Sequence, residues 1–347
     1  MKKRFLTLAL VTAISVTSLL ACSSKEESKP AKPQKEKSTE ILPDSTKVVL
    51  NEVAHSIFYA PMYVAIEEGY FEDEGINLEL VTGFGADKSM TAVLSGEADI
   101  GFMGSEASIY TYNEGANDYV VNFAQLTQRA GNFLVSRDNI SNFKWSDVKG
   151  KTIIGGRAGG MPQMLLEYIL KKNNIDCKKD VEIVQNIDFG STAAAFASGL
   201  GDFTVEFEPS ATAIESENKG YIAASLGVDS GYVPYTAYCA KKSFLKNNPE
   251  IIHSFTNAIQ KGLEFVNSHN SSEIAAVIAP QFKETDIQTL TKIVEHYKSQ
   301  DTWKNDTIFE ESSFSLLTDI LKQAGELDED VPYNKLVTTD FSKKAVK

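Results

Sequence analysis

The sequence contains few of the residues on which metal and redox chemistry depend. Three cysteines and four histidines occur among 347 residues, which excludes a disulfide-rich scaffold. The sequence has no H-E-x-x-H, paired C-x-x-C or EF-hand pattern, and the glycine-rich run Gly155–Gly160 lacks the Lys-Ser/Thr of a phosphate-binding loop. Gly104-Ser105-Glu106 lacks the second glycine of a nucleophile elbow. These absences argue against an enzyme, and we expect neither a cofactor nor a metal.

Basic residues are also in deficit. The chain has 34 Lys and Arg against 47 Asp and Glu, a formal net charge of −13 at pH 7. A surface this acidic repels phosphate backbones, so nucleic acid is not an expected partner. Small anions are not excluded, because they respond to the local field of a site.

The longest apolar run lies at the N-terminus and ends at a cysteine. Residues 1–21 combine a basic head with an apolar stretch that is short for a membrane span and typical of an export signal. Its end, Leu19-Leu20-Ala21-Cys22, resembles the lipobox of bacterial lipoproteins. That resemblance implies acylation of Cys22, which would become the mature N-terminus anchored at the outer face of the cytoplasmic membrane. An uncleaved membrane anchor is the alternative.

The segment that follows, residues 22–46, is predicted to be a flexible tether. It carries five lysines and five acids and almost no apolar residue before Ile41, so it cannot bury enough surface to offset its chain entropy. The remaining cysteines, Cys177 and Cys239, are interpreted as two unrelated free thiols, with a disulfide as the alternative.

From residue 47 the sequence alternates strand and helix patterns, which indicates βαβ units and largely parallel sheets. Strands are predicted at 47–53, 76–81, 98–102, 119–125, 151–154, 181–185, 203–205 and 235–240. Helices are predicted at 60–69, 86–95, 105–114, 161–172, 192–198 and 209–216. After Lys241 the spacing is helical throughout, at 249–267, 272–278, 284–299 and 310–324.

The order of elements repeats, and a short segment aligns between the two copies. Residues 95–108 align without gaps on residues 198–211: each copy has a Ser-Gly helix end and then, at equivalent positions, Asp99 or Asp202. Each copy also has a glutamate in the loop before the next helix, Glu106 or Glu208, and these two are one position out of register. We therefore predict an α/β fold with two similar lobes. The first lobe comprises 47–129 and 241–347, with the helical section packed on it, and the second comprises 130–240. The chain is expected to cross between the lobes near 129–132 and 239–242, which leaves a cleft.

Four segments carry a resemblance to one group of solute-binding proteins. They are Ala60–Leu80, Leu94–Gly101, Val148–Ile154 and Phe207–Pro209. In this order they resemble the binding proteins of bacterial ABC importers for nitrate, sulfonates, bicarbonate and thiamine pyrimidine precursors. The resemblance implies a periplasmic-binding-protein fold whose lobes close around one small molecule. It implies as partners an ABC permease with its ATPase, and a membrane through the lipid anchor.

The candidate ligand-binding residues lie in loops that follow strands, where ligands of open α/β sheets bind. They combine aromatic faces, acids and the free N–H groups of a helix start. Structural alternatives are a helix cap for Ser56, a helix-terminal acid for Glu208 and a surface ion pair for Arg157. The predicted site comprises Ser56, Phe58, Tyr59, Gly104, Ser105, Glu106, Gln128, Arg157, Gly159, Gly160, Met161, Phe189, Glu206, Glu208 and Tyr235.

This inventory favours a flat, nitrogen-bearing or cationic ligand, since rings stack and carboxylates accept from N–H groups. An aminopyrimidine or another heteroaromatic vitamin precursor fits it. The pyrimidine-precursor binders carry a tryptophan-proline stretch after the first strand, whereas this chain has Ser56–Pro61. Alternatives are a sulfonate or nitrate binder, a lipid-anchored sensor and a pyrimidine-synthase-like enzyme.

Overall fold

The structure is a computed structural model that describes residues 45–346. The predicted signal peptide at 1–21, the lipidation site Cys22 and the tether up to residue 44 lie outside the described residues. Among residues 45–346, no helix has the length and apolar character needed to cross a bilayer. Cys177 and Cys239 are both free thiols.

Ten strands and fifteen α-helices occur in the described part of the chain. The strands are β1 (Thr46–Glu52), β2 (Ile76–Thr82), β3 (Ile100–Gly104), β4 (Val120–Gln125), β5 (Asn132–Ser136), β6 (Thr152–Ile154), β7 (Glu182–Val184), β8 (Phe203–Phe207), β9 (Tyr221–Ser225) and β10 (Thr236–Lys241). The helices are α1 (Ala60–Glu67), α2 (Tyr70–Asp73), α3 (Ala86–Ser95), α4 (Ala107–Asn113), α5 (Met161–Lys172), α6 (Thr192–Ala197), α7 (Ser210–Ser216), α8 (Leu226–Ser230), α9 (Lys242–Asn247), α10 (Pro249–Ser268), α11 (Ser271–Ile278), α12 (Ile287–Ser299), α13 (Glu311–Ala324), α14 (Tyr333–Leu336) and α15 (Ser342–Ala345). Short 3-10 turns occupy Ile57–Tyr59, Trp145–Val148, Phe189–Ser191 and Ala279–Gln281.

The strands form two five-stranded sheets with the same plan. The first has the order β2-β1-β3-β10-β4, and the second has the order β7-β6-β8-β5-β9. In each sheet four strands run in the same direction, and the fifth, β10 or β5, runs antiparallel between its two neighbours. β3 and β4 are buried at every residue, as expected for strands covered on both faces. The predicted two-lobed α/β fold is confirmed.

Residues that favour helix ends stand at the ends of α3 and α5, and the predicted bounds of both helices are confirmed. α3 ends at Gly96, whose φ of 85° is a left-handed conformation that glycine adopts without strain. α5 begins with Pro162 in its first turn and ends with Lys171 and Lys172 in its last. The fixed φ of proline and the negative helix C-terminus favour these positions.

The aligned segments of the two lobes make the same contacts. The Asp99 carboxylate accepts a hydrogen bond from the Val49 backbone N–H at 2.9 Å, and the Asp202 carboxylate accepts one from the Thr152 N–H at 2.9 Å. Each aspartate thereby fixes the entry to the strand that follows it, β3 or β8, against the neighbouring parallel strand, β1 or β6. The alignment of residues 95–108 on 198–211 therefore reflects a structural repeat.

The return strand β10 lies in the first sheet, not in the second lobe as the sequence predicted. It pairs with β3 from Thr236 to Cys239 and with β4 from Ala237 to Lys241. The chain therefore changes sheets between Ser225 and Thr236 rather than near Cys239–Lys242. β10 pairs with strands that lie much earlier in the sequence. Such long-range pairing cannot be predicted from the pattern of neighbouring residues.

Two strands of the second sheet were not predicted. β5 is fully buried between β8 and β9, although its start had been assigned to the hinge. β9 is a half-exposed edge strand without clear alternation. Thr46 also belongs to β1 rather than to the tether. A buried run of five residues directly after a crossing carries too short a pattern to separate a strand from a loop.

The helical section after Lys241 covers the first lobe and touches the second. α10, the longest helix, packs its buried face on α1 and α2, and Gly262 allows close approach because a side chain there would collide with the Pro61 carbonyl. α13 packs on α5 of the second lobe. A hydrogen bond from the Ser225 hydroxyl to the Gln300 side chain also joins this section to the second lobe, so the predicted packing on the first lobe is accompanied by contacts with the second.

Candidate functional site

The candidate site lies between the lobes, at the carboxyl ends of the parallel strands. Two cavities adjoin there and share Pro162, Phe189 and Phe207 as lining residues. The first cavity, of about 60 Å³, is lined also by Tyr59, Gly104, Glu106, Arg157, Gly160, Met161 and Tyr235. The second cavity, of about 220 Å³, is lined also by His55, Ser56, Phe84, Thr192, Glu206 and Glu208. Eleven of the fifteen predicted residues therefore line one cavity or the other.

Glu106 is the acid at the centre of the first cavity. It follows β3, begins the turn into α4 and is 2% exposed. Burial raises the pKa of its carboxyl to about 7, although its own backbone N–H, the nearby Arg157 guanidinium and the Met161 N–H act in the other direction. Its Oε2 atom is buried and has no hydrogen-bond partner among the described residues. A buried carboxylate oxygen without a partner is costly unless a ligand donates to it.

Two further buried polar side chains are Tyr235, which lines the first cavity with Glu106, and Asn132, its neighbour. The Tyr235 side chain is buried, and the charge of Glu106 contributes to a pKa well above the ordinary value for tyrosine, for which burial is the main cause. The Asn132 amide neighbours the Tyr235 hydroxyl. Within residues 45–346, neither that hydroxyl nor either end of the amide makes a hydrogen bond of good geometry. This corner of the cleft therefore concentrates unmatched donors and acceptors.

The start of α5 faces Glu106 from the second lobe. Gly160 is the N-cap of α5, and Gly160 and Met161 both line the first cavity. Because the Met161 N–H lies near enough to Glu106 to lower its pKa, a carboxylate of the chain itself already faces the predicted anion-binding helix end. Gly159 points elsewhere: its carbonyl accepts a hydrogen bond from the Tyr110 hydroxyl at 2.8 Å.

Arg157 is the cation of the first cavity, and acids already surround it. Its Nε lies 3.8 Å from Asp87 Oδ1 in a half-exposed ion pair, which agrees with the structural alternative for this residue. Its charge also lowers the pKa of Glu106, against the larger effect of burial. One guanidinium shared between two acids leaves little net positive charge for an anionic ligand.

Glu206 and Glu208 line the second cavity on the same side of β8, as alternation predicts. Glu206 accepts hydrogen bonds from the hydroxyls of Thr204 at 2.6 Å and Thr192 at 3.1 Å, and burial raises its pKa to about 7. Glu208 accepts from the N–H and the hydroxyl of Thr212, so it holds the first turn of α7. Each oxygen of these acids already has a partner, and this makes Glu106 the better candidate acceptor for a ligand.

Ser56 and Phe58 join the lobes more than they line the cleft. The Ser56 hydroxyl donates to the Glu208 carbonyl at 2.6 Å and caps the turn Ile57–Tyr59. Phe58 is fully buried, with ring centroids 5.5 to 5.7 Å from Tyr297, Tyr235 and Phe207. Phe58 lines neither cavity, and Ser56 carries the capping role that the sequence offered as its alternative.

Two more predicted residues also face away from the cavities. The Gln128 amide donates to the carbonyls of Asp301 and Trp303 at 3.2 Å, so it ties the first crossing to the helical section. The Ser105 hydroxyl donates to the Pro234 carbonyl at 2.5 Å and secures the second crossing. Both residues position the loops of the site without lining it.

A buried acid and a histidine border the second cavity. Glu52, fully buried at the end of β1, accepts hydrogen bonds from the Tyr63 hydroxyl at 2.6 Å and Thr82 at 2.8 Å. His55 contacts Glu52 through Nδ1 and the Gln281 carbonyl through Nε2, both at 2.9 Å. The hydrogen bond to Glu52 is the main reason that the pKa of His55 is raised. Because both ring nitrogens face acceptors, His55 is best held as an imidazolium.

Sequence reasoning missed Phe84 and Thr192, which line the second cavity, and the buried Asn132, which neighbours the Tyr235 hydroxyl. Asn132 had been placed in the hinge, and Thr192 at the start of a helix. The signal for Phe84 is the Gly83-Phe84-Gly85 pattern after β2, which confines an aromatic residue between two glycines. Within residues 45–346, no three His, Cys, Asp or Glu side chains are grouped so as to hold a metal ion.

The sequence of this cleft-forming region matches a known family. The family profile described as NMT1/THI5 like covers residues 57–272, which is more than half of the chain. The chain belongs to the NMT1/THI5-like family. It is also similar to YtlA of Bacillus subtilis (strain 168), described as a candidate binding protein, with 46% identity over 299 residues, 86% of this chain and 90% of YtlA.

More distant similarities cover the same span of this NMT1/THI5-like chain. The riboflavin-binding protein RibY of Chloroflexus aurantiacus is 23% identical over 315 residues, 88% of this chain and 86% of RibY. The structure of the periplasmic nitrate-binding protein NrtA from Synechocystis PCC 6803 superposes with a TM-score of 0.73 at 14% identity, covering 87% of this chain and 89% of NrtA. The fold is therefore that of periplasmic solute-binding proteins, and the predicted resemblance to them is confirmed.

Proposed function

We propose that this chain is the extracytoplasmic binding protein of an ABC importer and captures a small nitrogen-bearing, heteroaromatic molecule between its lobes. Membership of the NMT1/THI5-like family, similarity to YtlA and the two-sheet fold support the class. The lipobox-like end of the leader supports attachment through Cys22 to the outer face of the cytoplasmic membrane, where a permease and its ATPase would receive the ligand.

One observation carries the ligand class. The Oε2 atom of Glu106 is buried without a partner beside the aromatic lining of the first cavity, where Tyr59, Phe189 and Tyr235 offer ring faces and edges. A ring N–H or amino group would donate to that oxygen while the ring packs against the aromatic side chains. Above pH 7, where the Glu106 carboxyl is ionised, it only accepts, so the ligand must supply the donor.

A second candidate is an anion such as nitrate or a sulfonate. The observation in its favour is Arg157 beside the start of α5, a combination that suits an anion. Against it, Arg157 already faces Asp87 and Glu106, and the Glu106 carboxylate itself faces the start of α5 near the Met161 N–H. An anion in the first cavity would meet a buried carboxylate at close range, which is unfavourable.

The test is calorimetric titration of the purified protein with 4-amino-5-hydroxymethyl-2-methylpyrimidine, riboflavin, nitrate and ethanesulfonate as probes. We expect one equivalent of a nitrogen heterocycle to bind, Glu106→Gln to weaken that binding and Arg157→Ala to leave it within about threefold. The exposed Glu217→Gln serves as the control for loss of one negative charge. Binding of an anion that Arg157→Ala abolishes and Glu106→Gln improves would support the second candidate and contradict the first.

The proposal also holds that the bound molecule is released unchanged. Incubation of the bound heterocycle with the protein, followed by mass spectrometry, should return the same compound in full. Conversion of more than one equivalent would instead indicate the pyrimidine-synthase-like enzyme. Disruption of the gene for this protein that leaves uptake intact but abolishes a transcriptional response would favour the sensor.

A further inference from the structure

The loop between β2 and α3 presents an aromatic residue in an unusual way. Phe84 has a φ of 55°, in the left-handed region, and it is 55% exposed although it lines the second cavity. Five non-glycine residues have positive φ within residues 45–346, and the other four are Asn142, Asn174, Asn218 and Asp301. Asn and Asp tolerate this conformation, whereas an aromatic side chain there is strained.

The loop is held in place on both sides of Phe84. The Gly83 N–H donates to the Glu52 carbonyl at 2.8 Å, and the Gly85 N–H donates to the Val53 carbonyl at 3.0 Å. A side chain at Gly83 would collide with Ser89 and Asn51. The backbone around Phe84 is therefore anchored to the end of β1, and the ring is carried on a fixed support.

An aromatic ring of the other lobe borders the same cavity. Phe189, from the turn before α6, lines both cavities, and its ring centroid lies 5.6 Å from that of Phe207. Phe84 belongs to the first lobe and Phe189 to the second. A flat molecule in the second cavity would cover the exposed ring of Phe84 and lie against Phe189. Exposure of the Phe84 ring is a cost that a stacked ligand would remove. The backbone strain is present with or without a ligand, and it marks a position that keeps an aromatic ring although Asn or Asp would adopt this conformation more easily.

We propose that Phe84 is a ligand-contacting residue: it forms the first-lobe half of an aromatic clamp, with Phe189 as the second-lobe half, that covers the part of a heteroaromatic ligand extending from the first cavity into the second. This inference rests on the proposed function, and it names Phe84 as a residue that makes the site selective for ligands with a ring. Small anions, which have no ring to stack, gain nothing from the clamp.

The experiment compares Phe84→Asn, Phe84→Tyr and the control Tyr221→Ser. Phe84→Asn relieves the strain at positive φ and removes the aromatic ring. Phe84→Tyr keeps the strain and the ring. Tyr221 is an exposed aromatic residue at the start of β9, paired with Ser136 at the end of the second sheet away from the cleft. The probes are 4-amino-5-hydroxymethyl-2-methylpyrimidine and riboflavin, with Kd from calorimetry, dissociation rates from stopped-flow fluorescence and Tm from thermal melts.

We expect Phe84→Asn to raise Tm by about 1–3 °C and to weaken binding about five- to tenfold, chiefly through faster dissociation. Phe84→Tyr and Tyr221→Ser should keep Kd within about twofold of wild type. If the wild-type protein binds a probe and Phe84→Asn binds it equally well, or if Phe84→Asn lowers both Tm and affinity, the clamp is refuted while the proposed function stands. If the wild-type protein binds neither probe, the proposed function fails and the clamp fails with it.

Discussion

Replacing Glu106 with glutamine should make the protein more stable and a poorer binder at the same time. Burial raises the pKa of the Glu106 carboxyl from 4.5 to about 7. Between these values the folded state binds more protons than the unfolded state, so stability falls as pH rises through this window. A shift of this size corresponds to about 3 kcal/mol above pH 7, which the neutral glutamine does not incur.

The assay is thermal unfolding at pH 4.5 and pH 8 without ligand, followed by calorimetry at pH 8. Relative to wild type, Glu106→Gln should melt about 4–5 °C higher at pH 8, since roughly 300 residues unfold, and within about 1 °C of wild type at pH 4.5. The same variant should bind a nitrogen heterocycle ten- to a hundredfold more weakly, from a loss of about 1.5–3 kcal/mol for a hydrogen bond to a charged acceptor.

A matched control separates the two effects. Glu206 is the matched residue, because burial raises the pKa of its carboxyl to about 7 as well. Unlike Glu106, it has a threonine hydroxyl donating a hydrogen bond to each of its carboxylate oxygens. Glu206→Gln should therefore gain stability at pH 8 without a comparable loss of affinity. A lower melting temperature for Glu106→Gln at pH 8, or equal losses of affinity in the two variants, would refute the assignment of Glu106 as the acceptor.

Three further predictions concern the hinge, the edge of the cleft and the anchor. Gly131→Ala should lower the free energy of unfolding by about 1–3 kcal/mol, measured in urea, because a Cβ there would collide with the buried ring of Phe58; an unchanged midpoint would show that the crossing is loosely packed. His55→Gln should lower Tm at pH 6 but not at pH 9. The pKa of His55 is raised, so its pairing with Glu52 stabilises the folded protein at low pH, and this stabilisation is lost as the pH rises through that pKa. Equal losses of Tm at both pH values would exclude the imidazolium. Cys22→Ala should release the protein from the membrane fraction of its native host, and retention there would contradict acylation.

The parts of the fold that the sequence predicts are those whose ends are marked by particular residues close by in the chain. The bounds of α5 follow from Pro162 at its start and two lysines at its end, and the repeated Asp99 and Asp202 mark equivalent strand entries. The placement of β10 could not be predicted in the same way. Its partners β3 and β4 lie more than 100 residues earlier in the chain, and pairing at that distance depends on the assembled sheet.

The location of the site could also be predicted from the sequence, whereas the contacts made by its individual residues could not. Residues in loops after parallel strands, such as Glu106, Arg157 and Glu206, could be located because the fold class fixes that edge as the cleft. Their individual roles could not, because these depend on partners elsewhere. Gln128 turns away to the carbonyls of Asp301 and Trp303, while Glu106 keeps an oxygen without a partner among the described residues.

The most direct test of the central claim is native mass spectrometry of the protein purified gently from its own organism, with the bound molecule then identified by fragmentation. We predict one small molecule per chain, a ring compound bearing at least one N–H or amino group, and its loss from the spectrum of Glu106→Gln prepared in the same way. An inorganic or sulfonate anion retained by Glu106→Gln and lost from Arg157→Ala would contradict the account.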